Sequence, residues 1–185
     1  GEVPSVSLTQ CLKWFTRVER LDAKGYKCEG CDSYQEGLKQ LSIQTLAPSL
    51  CLQLKRFESL RNAGPNGGQQ SFKVDTHVTF PAWLDMAPYM SPNLRDPAAS
   101  ADASGPTNHE GKGGEDAEAT KGLVPTWYRL YAVVVHHGRL DSGHYTSFVR
   151  RGGDWFRCDD AAVVMVPESE VLSCQAYLLL YTCSP

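Results

Sequence analysis

Long apolar runs are missing from this 185-residue chain. Runs such as Ala132–Val135 and Ala176–Tyr181 are strand-length, well short of the roughly 20 residues that a membrane-spanning helix needs. A basic excess is missing too. Eighteen Lys and Arg stand against 21 Asp and Glu, a formal charge of −3, so no positive field draws in nucleic acid. The start, Gly1-Glu2-Val3-Pro4, has no basic stretch leading into an apolar one, which argues against a secretory signal. It also has no initiator Met, and a fragment or processed product is the expectation. No internal repeat is visible. Cysteine is present, but as seven scattered residues, an odd number, without an export signal. That pattern favours a reducing compartment, nucleus or cytosol, with free thiols or a metal in place of a disulfide framework.

What is there suits a globular core: 42% of the residues are hydrophobic, enough for one domain or most of one. Ser7-Leu8-Thr9-Gln10 has the form of a capping box, so a helix begins at about Leu8. Leu8, Cys11, Leu12, Phe15 and Val18 recur at helical spacing, which makes Cys11 a structural thiol on an apolar face. Leu41, Ile43 and Thr45 alternate with polar residues and predict a half-buried strand. Leu50, Leu52 and Leu54 predict a second, ending at Arg56-Phe57. Asn62 to Gln70 reads as a loop, and His77-Val78-Thr79-Phe80 as a short strand stopped by Pro81. From Asn93 to Gly122 there is no aromatic residue, only a segment rich in Ala, Gly, Asp, Glu, Ser and Pro. It cannot bury enough apolar surface to offset its ordering entropy, and residues 93–122 are expected to be a disordered insertion, with His109 inert inside it. The chain then turns β-rich: Tyr128–His136, Tyr145–Arg150, Trp155–Cys158, Val163–Val166 and Ala176–Thr182. One helix among many non-local strands predicts an α+β fold with an antiparallel sheet.

Two stretches carry the chemistry, Asp141-Ser142-Gly143-His144-Tyr145 and Trp155-Phe156-Arg157-Cys158-Asp159-Asp160. Gly152-Gly153 between them predicts a tight hairpin pairing Arg151 with Asp154. Followed back, that register sets His144 opposite Ala161, with Asp159 as its diagonal neighbour on the same face, roughly 7–8 Å away at the backbone. An imidazole and a carboxylate at that separation can pair, and a base held in one tautomer by a carboxylate is what a thiol or hydroxyl nucleophile requires. The neighbouring His136 and His137 point to opposite faces, so at most one of them shares a face with His144. His77 has no chemical company. Cys28 and Cys31 are spaced to bind one metal ion, zinc by default, although a redox pair or plain structural cysteines fit the same spacing. Cys11, Cys51 and His77 are not placed to complete the four ligands of a structural site.

The ordered set Cys28-Glu29-Gly30-Cys31, Gln53-Leu54-Lys55-Arg56-Phe57, His77-Val78-Thr79-Phe80-Pro81, Tyr131-Ala132-Val133-Val134 with His136, Ser142-Gly143-His144-Tyr145, Trp155-Phe156 with Asp159-Asp160, and Ala176-Tyr177-Leu178-Leu179-Leu180-Tyr181 covers nearly the whole chain outside the insertion. This set resembles the C-terminal half of a ubiquitin-specific protease catalytic domain, a papain-like cysteine protease. Gly30-Cys31-Asp32-Ser33-Tyr34-Gln35-Glu36, Leu84-Asp85-Met86-Ala87-Pro88-Tyr89-Met90 and the run from Ser142 to Phe148 are similar to the deubiquitinase of the SAGA co-activator.

The resemblance implies an antiparallel palm sheet, the tip of zinc fingers, and thiol-dependent hydrolysis of the isopeptide bond after the C-terminal Gly of ubiquitin. It implies His144 as catalytic base, Asp159 as its orienter, and Asp160 as an aid to that site or to the oxyanion. Gly143 and Tyr145 lie by the channel for the ubiquitin tail, and Cys28 and Cys31 are one half of a four-cysteine zinc site. Ubiquitin, a ubiquitinated protein such as nucleosomal histone, and SAGA-type subunits become the expected partners, and the nucleus, with the cytoplasm as alternative, the expected compartment. The chain departs from the family in two respects. The box Gly-Leu-x-Asn-x-Gly-Asn-Thr-Cys that carries the nucleophile is absent, and so is the first zinc-ligand pair. By itself the chain is expected to be inactive. The alternative is a non-catalytic, zinc-supported scaffold or ubiquitin-binding module derived from the same fold.

Overall fold

The computed structural model describes residues 6–22, 24–60, 70–91, 125–140 and 142–184. The insertion expected at 93–122 lies outside them. In chain order the elements are β1 (Val6–Ser7), α1 (Leu8–Phe15), β2 (Val18–Leu21), β3 (Lys27–Cys28), β4 (Ser33–Tyr34), β5 (Gly37–Gln40), β6 (Ser49–Gln53), β7 (Phe57–Leu60) and β8 (Gln70–Lys73). After them come β9 (Val78–Thr79), β10 (Trp83–Asp85), a 3-10 turn (Ala87–Tyr89), β11 (Trp127–Gly138), β12 (Gly143–Arg151), β13 (Asp154–Asp159), β14 (Ala162–Val166), α2 (Glu168–Ser173) and β15 (Ala176–Cys183). Among the described residues no helix is long and apolar enough to cross a membrane.

The chain divides into two compact units, one drawn from Gly1–Cys11, Ala47–Leu84 and Trp127–Ser184, the other from Leu12–Leu46 and Asp85–Thr126. The first holds the large sheet, in the order β14-β13-β12-β11-β15-β6, with β10 also paired to β11. Neighbours along that order run antiparallel. Central β11 and β15 supply much of the core: Tyr128, Leu130, Val133, Ala176, Leu179 and Tyr181 are all but inaccessible. Two of these carry a hydroxyl into the interior, and each finds a carbonyl. Tyr181 Oη donates to Pro81 O at 2.7 Å and Tyr128 Oη to Ala47 O at 2.6 Å, as buried polar groups must. The β11–β15 ladder slips between Leu130 and Ala132 and between Val134 and Val135. At the second slip Val134 pairs with Leu178 and Val135 with Ala176, so Tyr177 is an extra residue whose side chain is re-aimed by the bulge.

The second unit is built from hairpins. β2 pairs with β5 from Val18↔Gln40 to Leu21↔Gly37, and β3 with β4 through Cys28↔Ser33.

The capping box forms as its sequence predicts. Ser7 N donates to Gln10 Oε1 at 3.1 Å, and Gln10 N to Ser7 Oγ at 3.2 Å. The helix is shorter than its apolar periodicity implied. Thr16 turns both its amide and its hydroxyl onto Leu12 O at 3.0 Å, and β-branched Val18 leaves the helix to open β2. The strand expected over Leu41–Thr45 also shifts. Its partner β2 runs out at Val18↔Gln40, so the strand is β5, and Ile43 makes only an isolated bridge to Met90. The alternation at Leu50 and Leu52 does make β6, but the chain leaves that strand before Arg56 and Phe57 starts a separate hairpin with β8. That hairpin and α2 carry no periodicity long enough to have been read in advance.

Candidate active site

The site is assembled at one end of the large sheet. Gly152 (φ +67°) and Gly153 (φ +141°) make the tight turn, and Arg151 pairs with Asp154 as expected. The β12–β13 ladder runs only to Ser147↔Cys158. Ala161 therefore does not pair with His144; it lies in the turn between β13 and β14, next to Asp160 in the left-handed region at φ +48°. Asp is among the few non-glycine residues that accept that conformation. Beyond the ladder the side chains of His144 and Asp159 meet directly, His144 Nε2 to Asp159 Oδ1 at 2.5 Å. Asp160 joins them, since one ligand atom from each of the three lies within 4.8 Å of the others.

The contact fixes the chemistry of the ring. Nε2 carries the proton and donates it to Asp159, which leaves the lone pair on Nδ1, the nitrogen able to take a proton from a nucleophile. The imidazolium is favoured as well. The Asp159 hydrogen bond raises the pKa of His144 above its ordinary value, and the charges of Asp159 and Asp160 add to this against a small desolvation penalty. Both side chains are about half exposed, so the pair itself adds little to stability. Among the described residues no thiol belongs to this group.

On the far strand His137 stands directly opposite His144, and its Nε2 lies 3.0 Å from Thr146 Oγ1. His137 is thus the one of the two adjacent histidines that shares a face with His144. The same face opens into a cleft of about 620 Å³ whose lining includes His137, Thr146, Arg157, Asp159 and Glu170. His136 takes the other face, paired with Tyr145. Its ring meets Tyr145 at 4.7 Å between centroids, Phe57 at 5.3 Å and Tyr177 at 6.2 Å. Lys73 Nζ donates to the His136 carbonyl at 2.8 Å. Tyr145 and Gly143, singled out in the sequence, therefore sit beside an aromatic cluster that periodicity does not reveal. Phe57 comes from the unforeseen β7–β8 hairpin, Tyr177 from a bulge, and Lys73 from a stretch without any signal.

His136 is buried. Burial, then the charge of Lys73 and the neighbouring His137, pushes its pKa down. A histidine held neutral in the fold protonates more readily when unfolded, so it withdraws stability as pH falls below its unfolded value of about 6.5. His144 acts in the opposite sense: its raised pKa adds stability as pH falls from above that pKa to about 6.5, and below that the gain is complete. Denaturant titrations between pH 7.5 and 5.5 should therefore show a steeper acid loss in Asp159→Asn than in the wild type; equal slopes would contradict the opposing pair.

Cys28 and Cys31 lie in the second unit, on the β3–β4 hairpin, whose turn places Asp32 at φ +53°. Cys31 is exposed, and its Sγ lies 3.0 Å from Ser33 Oγ. Hydrogen bonding, first from Ser33 and then from Cys28 and Gln35, brings its pKa down to about 7. Part of the thiol is then thiolate at neutral pH, the form that a metal binds. Among the described residues no third His, Cys, Asp or Glu completes a ligand set with these two.

A family model described as ubiquitin carboxyl-terminal hydrolase matches residues 7–181. The chain belongs to that family. It is 41% identical to mouse ubiquitin carboxyl-terminal hydrolase 51 over 184 residues, which is 98% of this chain and 24% of that protein. It is 38% identical to human ubiquitin carboxyl-terminal hydrolase 22 over 182 residues, 96% of this chain and 30% of that protein. Solved structures of SAGA DUB modules, the first of them from yeast, are similar. One with a mutant Sgf73 gives a TM-score of 0.71 at 34% identity, covering 97% of this chain and 33% of that one. The Ubp8/Sgf11/Sus1/Sgf73 module bound to ubiquitin aldehyde gives 0.70 at 35% identity, covering 97% and 34%. The fold is that of the C-terminal half of a papain-like ubiquitin-specific protease, of the SAGA subgroup. The chain spans about a quarter to a third of the length of these relatives.

Proposed function

We propose that this chain is the C-terminal part of a deubiquitinase catalytic domain, and that it supplies the base and its orienter to a cysteine carried elsewhere in the same protein. The observation that carries the reading is the His144–Asp159 contact, which commits Nε2 and leaves Nδ1 free. The thiol attacks the carbonyl of the C-terminal Gly of ubiquitin while His144 takes its proton. The same proton passes to the departing lysine amine, leaving a thioester. Water, deprotonated by His144, hydrolyses the thioester and restores the thiol. Asp159 holds the ring in the required tautomer through both steps, and Asp160 adds negative charge beside the imidazolium. Gly143, Tyr145 and the rings around His136 border the channel for the ubiquitin tail.

The test is hydrolysis of a fluorogenic ubiquitin C-terminal amide. The chain alone is expected to be inactive and the complete protein active. Robust turnover by the chain alone would overturn the external thiol. An inactive complete protein that still binds ubiquitin would favour the scaffold reading.

Ubiquitin on nucleosomal histone is the proposed substrate, SAGA-type subunits the proposed partners and the nucleus the proposed compartment. The likeness to SAGA modules, one of them bound to ubiquitin aldehyde, supports ubiquitin, these partners and this compartment, while the histone follows only from the resemblance of the sequence motifs. Zinc is the proposed structural metal. Cys28 and Cys31 fit one half of a tetrahedral thiolate site, the other pair coming from outside the chain, and the ion would brace the fingers without entering the reaction. Elemental analysis of the dialysed chain is expected to find well under one zinc per molecule, rising to one in the complete protein. One tightly held zinc in the chain alone would contradict the divided site.

A further inference from the structure

We infer that His136 is a positioning residue, whose ring, lodged against Gly143, fixes the end of β12 and with it the attitude of His144 toward Asp159. The contact at Gly143 is extreme. A Cβ built there would lie 2.1 Å from His136 Nε2, 2.8 Å from its Cε1 and 2.7 Å from His137 O, so the strand backbone rests on the imidazole itself. Gly143 is required by space here, with no left-handed φ to demand it.

The ring in turn cannot retreat. Phe57, Tyr145 and Tyr177 stand around it, and Lys73 holds its carbonyl. Only 5% of the residue is exposed, and its Nδ1 is buried without a hydrogen-bond partner among the described residues. The imidazole therefore acts by shape, as a flat five-membered wedge, and among the described residues no hydrogen bond accounts for its place.

His144 follows Gly143 directly. Its side chain is about half exposed, and the Asp159 bond is the one hydrogen bond it makes among the described residues. One such bond does not hold an exposed ring in a single orientation, so the backbone beneath it must, and His136 sets that backbone from the opposite face of the sheet. The consequence for catalysis rests on the reading of His144 as the base; the positioning itself does not.

The experiment is an NMR titration of the histidine imidazoles in this chain, in the wild type, His136→Ala and Gly143→Ala, with far-UV CD and thermal unfolding to confirm that each is folded. The first substitution removes the wedge and the second drives the strand off it. In either folded variant the His144 titration is expected to move down toward the ordinary histidine value, with loss of the downfield Nε2 proton held by Asp159. A folded variant of either kind whose His144 titration and downfield proton match the wild type overturns the inference. Because the titration needs neither a nucleophile nor ubiquitin, its failure and the failure of the deubiquitinase reading are distinguishable.

Discussion

On the proposed function, His144→Ala in the complete protein is expected to lower kcat/KM for a ubiquitin C-terminal amide by at least about 10²–10⁴-fold, the range that a positioned general base supplies. The expectation follows from the division of labour within one ring. Nδ1 is the ring nitrogen left to accept a proton from a thiol, because Nε2 is committed to Asp159. Asp159→Asn is the informative companion. An amide can still hydrogen-bond the imidazole, but it can do so through its NH₂ group and select the wrong tautomer, and it no longer favours the imidazolium. The Asn variant should lose activity while its His144 titration falls, since the Asp159 hydrogen bond is the largest cause of the raised pKa. Binding of ubiquitin should change little in either variant, which places the loss in kcat. A folded complete protein that hydrolyses the amide within a few-fold of wild type after His144→Ala would remove His144 from the reaction.

Much of this pair was legible because it depends on local arithmetic. Gly152-Gly153 sets the hairpin, the hairpin sets the register, and the register brings residues 144 and 159 to one face. The extrapolation failed only where the ladder did, at Ala161, because the left-handed turn at Asp160 ends β13 before that position. The capping box at Ser7 and Gln10 was legible for the same reason: both partners lie within one turn. What stayed hidden depends on distant neighbours. Phe57, His136 and Tyr177 converge only when β7, β11 and a bulged β15 are brought together. Phe15 and Val18, placed by their spacing on one apolar helix face, are more than half exposed. Periodicity identified apolar residues in that stretch, but it could not say whether a partner in this chain covers them.

Arg56 is a second position whose loss should be severe, here for folding. The residue is 4% exposed, yet its guanidinium remains a cation, although burial lowers its pKa. What tolerates it there is a set of carbonyls. Nε donates to Ala176 O at 2.6 Å, and Nη1 donates to Val74 O at 3.0 Å and to Thr76 O at 2.9 Å. One side chain thus ties the start of β15 to the segment that follows β8. Arg56→Ala leaves three carbonyls without their donor, at about 1–3 kcal/mol for each that stays dry. Roughly 3 kcal/mol or more is a large fraction of the 5–15 kcal/mol that holds a typical domain together. Urea denaturation should show the midpoint falling with an unchanged m-value, or no cooperative transition at all. Arg56→Lys should lie between the two, since an ammonium cannot reproduce a fork that serves carbonyls on two sides. A loss below about 1 kcal/mol in Arg56→Ala would mean that water replaces the guanidinium there. The connection to the site is direct. Ala176 precedes Tyr177, Val74 follows Lys73, and Phe57 follows Arg56 itself. The side chain that satisfies these carbonyls therefore also anchors three of the residues around His136, and any folded Arg56 variant should disturb that cluster before it disturbs the His144–Asp159 pair.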